Sequence, residues 1–143
     1  RQSAVMAVLM LVQDEHEFLT QDKMDSVALY LNMPNIAVYE VATFYSMYEH
    51  KQCGKHKLEV CTNISCKLRG SEDVVNHLKE VLDVEVGQTT KDQQFTLRTV
   101  ECLGACVNAP MLQIGDKYHE KLTPEKLDEI IKYLESLINR SIP

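Results

Sequence analysis

The sequence predicts an α+β fold in which a small helical bundle precedes a mixed sheet with helices packed on it. Three observations carry this. Apolar residues recur at helical spacing up to about Tyr48, and Cys53-Gly54-Lys55 breaks that pattern. Beyond the break the pattern turns to alternation, and the chain reads strand, helix, strand, hairpin, helix. Four cysteines, in the pairs Cys61-x4-Cys66 and Cys102-x3-Cys106, lie in short loops that follow the two predicted strands.

Val5, Val8, Leu9 and Val12 form the apolar stripe of a first amphipathic helix, which ends where Gln13, Asp14, Glu15 and Glu17 take over. Thr20 and Asp22 open a second helix with Val27, Ala28 and Leu31 on its core face, and Pro34 stops it. A third helix is expected from Asn35 through Tyr48, with Ile36, Val38, Val41, Phe44, Tyr45 and Tyr48 buried or half-buried. Its aromatic density suits either a bundle core or packing on another subunit, and the two can hold for different faces.

His56 to Val60 alternates polar and apolar residues and leads into Cys61 as a half-buried strand. The boundary between the helical part and the rest therefore falls near Cys53. Ser71, with Glu72 and Asp73, is expected to cap a helix whose face is Val74, Val75, Leu78, Val81 and Leu82. A polar connection from Val84 to Asp92 precedes a second strand, Phe95 to Val100, which delivers Cys102 to its loop. Met111 to Ile114, the Gly115-Asp116 turn and Lys117 to His119 read as a hairpin. Thr123 as N-cap and Pro124 in the first turn open a last helix with Leu127, Ile130, Ile131, Leu134, Leu137 and Ile138 inward. This order resembles the thioredoxin-like fold without a C-x-x-C redox pair at the first helix start.

The composition narrows the function. With 143 residues and a hydrophobic fraction of 45%, the chain can bury a core without disulfide staples, which leaves its cysteines available for chemistry. A net charge of -6 and scattered Lys and Arg argue against nucleic acid or an anionic membrane surface as the main partner. The longest apolar stretch, Ala4 to Val12, is far shorter than the ~20 residues of a membrane span, so no direct membrane insertion is expected. No targeting segment is visible, and the start on Arg1 suggests missing upstream residues.

Thiolates are soft anionic ligands suited to iron-sulfur clusters and zinc, and two loops with two thiolates each can close around one centre. Disulfides or buried free thiols are the plain alternative. Against them stand the pairing and the turn-forming Asn63, Ser65, Gly70, Gly104, Asn108 and Pro110 around the thiols. Two irons bridged by two sulfides need four thiolates in two pairs, which matches the sequence. Small or polar Thr62, Asn63, Ser65, Gly104 and Ala105 let backbone N-H groups approach the sulfurs. A zinc-stabilised, non-redox interaction module stays open, although structural zinc usually serves domains with little core of their own. Cys53 reads as a half-buried free thiol, and the dispersed His16, His50, His56, His77 and His119 as surface or packing residues. The five glycines are far apart and form no G-x-G-x-x-G, so NADH oxidation by this chain alone is not expected.

VATFYSMY at Val41 to Tyr48, Cys61-x4-Cys66 with Gly70 after it, and ECLGACVNAPM at Glu101 to Met111 resemble a known family. It is that of the small thioredoxin-like [2Fe-2S] subunit of NADH:quinone oxidoreductase, respiratory complex I, and the resemblance covers nearly the whole chain. Related subunits occur in NAD-linked hydrogenases and formate dehydrogenases, and the motifs do not choose among these complexes. The resemblance implies a helical bundle over residues 1–52 and a thioredoxin-like [2Fe-2S] ferredoxin domain over 53–143. It implies one [2Fe-2S] cluster on Cys61, Cys66, Cys102 and Cys106. FMN and NADH are expected on a flavin- and NADH-binding partner subunit, with other peripheral-arm iron-sulfur subunits as further partners. The implied location is a peripheral arm on the cytoplasmic face of the bacterial inner membrane, or on the mitochondrial matrix side in a eukaryote. The family usually has further helical residues at the front.

Overall fold

In the computed structural model, which describes residues 2–140, the helical period of the first third of the chain folds as three helices. These are α1 (Val5–His16), α2 (Gln21–Leu31) and α3 (Asn35–Phe44). Their facing stripes supply Val5, Leu9, Val27, Ala28, Leu31, Val38 and Ala42 to one apolar core, which Leu19 and Tyr48 complete from the connections. α2 stops because Asn32 turns left-handed, with φ of 51°, and its N-H satisfies the last carbonyls. Pro34, extended, then precedes the first residue of α3. Thr20 holds the N-cap position of α2, but its side chain makes no capping bond.

The third helix departs from the sequence expectation. It ends at Phe44, and the residues up to Glu49 leave it to lie along α1. Gln13 donates to the Met47 carbonyl at 3.0 Å and accepts from the Glu49 N-H at 2.6 Å. The Tyr48 hydroxyl donates to the Met6 carbonyl at 2.9 Å. The two Gln13 bonds satisfy backbone groups that a longer helix would have satisfied internally. Tyr48 is buried as expected, from an irregular segment, whereas Ile36, Phe44 and Tyr45 are exposed at 63%, 80% and 40%.

The chain separates into two units, Arg1–Cys53 and Gly54–Pro143. The second is built on a four-stranded sheet in the order β2-β1-β3-β4. β1 (His56–Cys61) pairs in parallel with β2 (Phe95–Val100) and antiparallel with β3 (Met111–Ile114), and β4 (Lys117–Glu120) completes the β3 hairpin. Alternate residues Leu58 and Val60, Phe95 and Leu97, and Leu112 and Ile114 turn to one face. There they meet Val74 and Leu78 of α5 (Ser71–Leu82) and Leu127, Ile131 and Leu134 of α6 (Pro124–Arg140). Each of the largest of these side chains contributes about 1.5–3 kcal/mol by leaving water.

α6 starts as the sequence predicts, the Lys126 N-H donating to the Thr123 hydroxyl at 3.3 Å. α5 does not. Gly70, left-handed at φ of 92°, takes the N-cap place, and Ser71 is the first helical residue with a buried hydroxyl that has no hydrogen-bond partner. Val81, expected inward, is exposed in the last turn of α5. A short helix, α4 (Ile64–Leu68), fills the first cysteine loop and was not foreseen.

Candidate metal centre

The parallel register of β1 and β2 sets Cys61 opposite Val100, so the chains leaving both strands start out side by side. Thr62 fastens them, its N-H and hydroxyl both reaching the Val100 carbonyl, at 3.0 and 3.1 Å. From there the two loops diverge in design. In the first, the Asn63 side chain accepts from the Ile64 N-H at 2.8 Å and starts α4, whose single turn buries Cys66. In the second, Gly104 adopts φ of +74°, which favours glycine, and a 3-10 turn over Cys106–Asn108 carries the last cysteine.

The hairpin holds the second loop in place. The Tyr118 hydroxyl donates to the Leu103 carbonyl at 2.8 Å, Asn108 donates to the Glu120 carboxylate at 3.0 Å, and the Lys121 N-H reaches the Asn108 carbonyl at 2.8 Å. Tyr118 and Glu120 were not foreseen as loop supports, because their partners are a backbone carbonyl and a side chain brought near only by the sheet. The chain enters β3 through a cis Ala109–Pro110 peptide.

Of the four thiols expected from the sequence, two lie in a buried cluster and two are exposed. Cys61 and Cys66, each 1% exposed, pack with Ala109 and Met111 and with the half-buried Leu103 and Ala105. Cys102 and Cys106 stand exposed at the edge of this cluster. The Cys61 sulfur meets the thiols of Cys66 and Cys102, and Cys66 also feels Cys106. Cys53 belongs to the helical unit, its thiol donating to the Glu49 carboxylate at 3.2 Å. Among the described residues, no three His, Cys, Asp or Glu side chains gather as a single metal ion would need.

Backbone N-H groups aim at the sulfurs. Burial raises the Cys61 pKa, but the N-H groups of Asn63 and Leu103, with the Cys66 and Cys102 thiols, outweigh it, so the net shift is downward. Burial, with Cys61 beside it, pushes the Cys66 thiol up to about 11, against the Met111 N-H, which favours its anion. The Gly104 N-H lies 3.3 Å from the Cys102 sulfur. Sequence reasoning pointed to Asn63 and Gly104 but missed Leu103 and Met111, whose large side chains gave no sign that their backbones serve sulfur.

Thiols with N-H groups aimed at their sulfurs suit an iron-sulfur cluster, whose negative charge such donors offset. The family described as thioredoxin-like [2Fe-2S] ferredoxin matches residues 1–135. The chain belongs to this family. Among its relatives, an NADH-quinone oxidoreductase subunit of Rickettsia bellii (strain RML369-C) is 46% identical over 137 residues, 95% of this chain and 82% of that protein. The corresponding NADH-quinone oxidoreductase subunit of Rhizobium meliloti (strain 1021) is 44% identical over 132 residues, 92% of this chain and 79% of that one. The crystal structure of an NAD+-reducing [NiFe]-hydrogenase in the air-oxidized state shares the fold, with a TM-score of 0.77 at 18% identity over 95% of this chain. The chain spans 24% of the length of that hydrogenase chain.

Proposed function

We propose that Cys61, Cys66, Cys102 and Cys106 hold one [2Fe-2S] cluster and that the chain is the electron-transfer subunit of an NADH:quinone oxidoreductase. Identity of 46% and 44% to proteins named for that complex, over 95% and 92% of the chain, is the observation that carries the reading. The hydrogenase likeness, at 18% identity, speaks for the fold alone. When bound, such a cluster supplies a one-electron carrier, and a hydride donor reaches it only through a two-electron carrier such as flavin.

The residues of this chain then have distinct tasks. Met111, Ala109 and Leu103 keep water from the Cys61 and Cys66 sulfurs, while the N-H groups of Asn63, Leu103, Gly104 and Met111 stabilise thiolate charge. Cys102 and Cys106 lie at the surface, and the exposed apolar Val107 next to Cys106 suits close packing of a flavin- and NADH-binding partner subunit on that side. FMN and NADH belong to that partner. In the bundle of residues 1–52, the exposed Leu29, Tyr30, Ile36 and Phe44 offer a second apolar surface for docking, so a chain starting at Gly54 should bind the flavin subunit more weakly. Other iron-sulfur subunits of a peripheral arm complete the setting, on the cytoplasmic face of the bacterial inner membrane or its mitochondrial counterpart. Among the described residues no helix is long and apolar enough to cross a membrane.

Mixing the isolated, oxidised, flavin-free protein anaerobically with excess NADH should leave its visible spectrum unchanged, and the reduced flavin partner should bleach it. Rapid bleaching by NADH alone would remove the need for the partner and overturn the assignment.

A further inference from the structure

A cavity of about 450 Å³ opens in the second unit, away from the cysteine loops. It is lined from the start of β1, the β3–β4 hairpin and α6. His56, at one part of this lining, lies about 17 Å along β1 from Cys61 at about 3.3 Å per residue. No cysteine lines the cavity.

The floor is apolar, made by Ile114, Ile130, Leu134 and Leu137. The rim is cationic, with Lys55, Lys117 and Lys126 against the single carboxylate of Glu129. In a chain of net charge -6 this is a local reversal of sign. Among the described residues neither Lys55 nor Lys117 has a carboxylate partner, and the Lys126 ammonium donates to the Glu120 carbonyl. Two imidazoles also line the space. His56 has a buried Nε2 without a hydrogen-bond partner. Burial, then the charges of Lys126 and Lys117, hold His119 below the usual histidine range, and burial with Lys55 does the same to His56. Three lysines against one carboxylate thus crowd two imidazoles whose protonation they oppose, a surplus of positive charge that a bound anion would relieve. The volume is within the ordinary range for small-molecule sites, which are mostly apolar with a few convergent polar groups.

We propose that this cavity binds a small amphipathic carboxylate, its hydrocarbon body on Ile114, Ile130, Leu134 and Leu137 and its head between Lys55, Lys117 and the imidazoles. A monoanion suits the site better than a phosphate. Lysines act as point charges, and the bidentate arginines and glycine-rich N-H nests that grip phosphate are missing from this lining. The inference does not depend on the redox reading.

The test is calorimetric titration of the full, cluster-loaded chain with sodium octanoate at fixed ionic strength, with octanamide as the neutral counterpart. One saturable site with Kd below about 1 mM is expected for octanoate, and binding roughly tenfold or more weaker for octanamide. Lys55→Glu with Lys117→Glu, both exposed positions, should weaken octanoate by a similar factor while leaving the unfolding midpoint unchanged. Ile130→Trp, which keeps the charges and fills the floor, should abolish binding. On saturation the ring resonances of His56 and His119 should titrate at higher pH. Absence of saturable octanoate binding, equal binding of octanamide, or unchanged binding in the lysine double variant would each overturn the proposal. So would association only with oleate-containing vesicles and not with free octanoate, which would assign the basic rim to a membrane surface.

Discussion

Gly54→Ala tests how tightly the second unit is closed beneath its sheet. A Cβ at Gly54 would lie 2.7 Å from the Phe95 carbonyl carbon, 2.8 Å from the Phe95 nitrogen and 2.9 Å from the Gln94 carbonyl carbon. Carbon atoms pack at about 3.5–4.0 Å, so the two segments would have to part by about 1 Å. All three atoms are backbone, and no side-chain rotation can yield. The same segments are tied by His56 N-H to Gln94 carbonyl at 2.7 Å, Lys55 N-H to Gln93 carbonyl at 3.1 Å and Gly54 N-H to the Thr96 hydroxyl at 2.7 Å. Overpacking of this kind costs about 1–3 kcal/mol, and weakening the bond to the buried Thr96 adds about 1 kcal/mol. The expected loss of roughly 2–4 kcal/mol corresponds to a midpoint lower by roughly 10–25 °C for a unit of this size. Thermal unfolding of the full chain, followed by far-ultraviolet circular dichroism together with the visible absorbance of bound cluster, measures it. A variant within about 0.5 kcal/mol of the wild type would refute the reasoning that the approach of Gly54 to β2 needs the absence of a side chain.

Ser71→Ala should be neutral or stabilise the chain by up to about 1 kcal/mol, because the Ser71 hydroxyl is buried without a partner; a loss in chemical denaturation would show that it is satisfied in solution. Tyr118→Phe removes the bond to the Leu103 carbonyl, should cost about 1 kcal/mol and should speed iron release to a chelator, as the Leu103 N-H serves the Cys61 sulfur. An unchanged release rate would mean that β4 does not hold the loop. His119 and His56 are both depressed by burial and neighbouring lysines, so the folded state binds fewer protons than the unfolded one. Their contribution is complete above the ordinary value of 6.5 and is lost as pH falls from there through the folded pKa. His119→Gln should flatten this slope in denaturation measured between about pH 5 and pH 7, and an unaltered slope would count against it.

Much of this was legible because it rests on local rules. Alternation marked β1, Gly115-Asp116 marked the hairpin, and Thr123 with Pro124 marked the start of α6. The cysteine pairs stand out as a candidate site because spacing and strand ends are both written in sequence. What failed depends on tertiary partners. Aromatic spacing stays helical past Phe44, while the competing bonds that end the third helix there come from Gln13 and the Met6 carbonyl in α1. Ser71 looked like a cap because composition cannot tell the N-cap from the next residue, and Gly70 took that place with a left-handed backbone. The Leu103 and Met111 N-H groups were invisible for a related reason: any residue supplies an N-H, and only the fold decides which one faces sulfur.

The most direct test of the central claim is the metal and acid-labile sulfide content of the anaerobically purified chain, compared with five single variants. The account predicts iron and sulfide in equal amounts in the wild type. Cys61→Ser, Cys66→Ser, Cys102→Ser and Cys106→Ser should each lose or destabilise the bound cluster, and Cys53→Ala should retain it. Zinc without iron or sulfide in the wild type, or full cluster content in any one of the four serine variants, would contradict it.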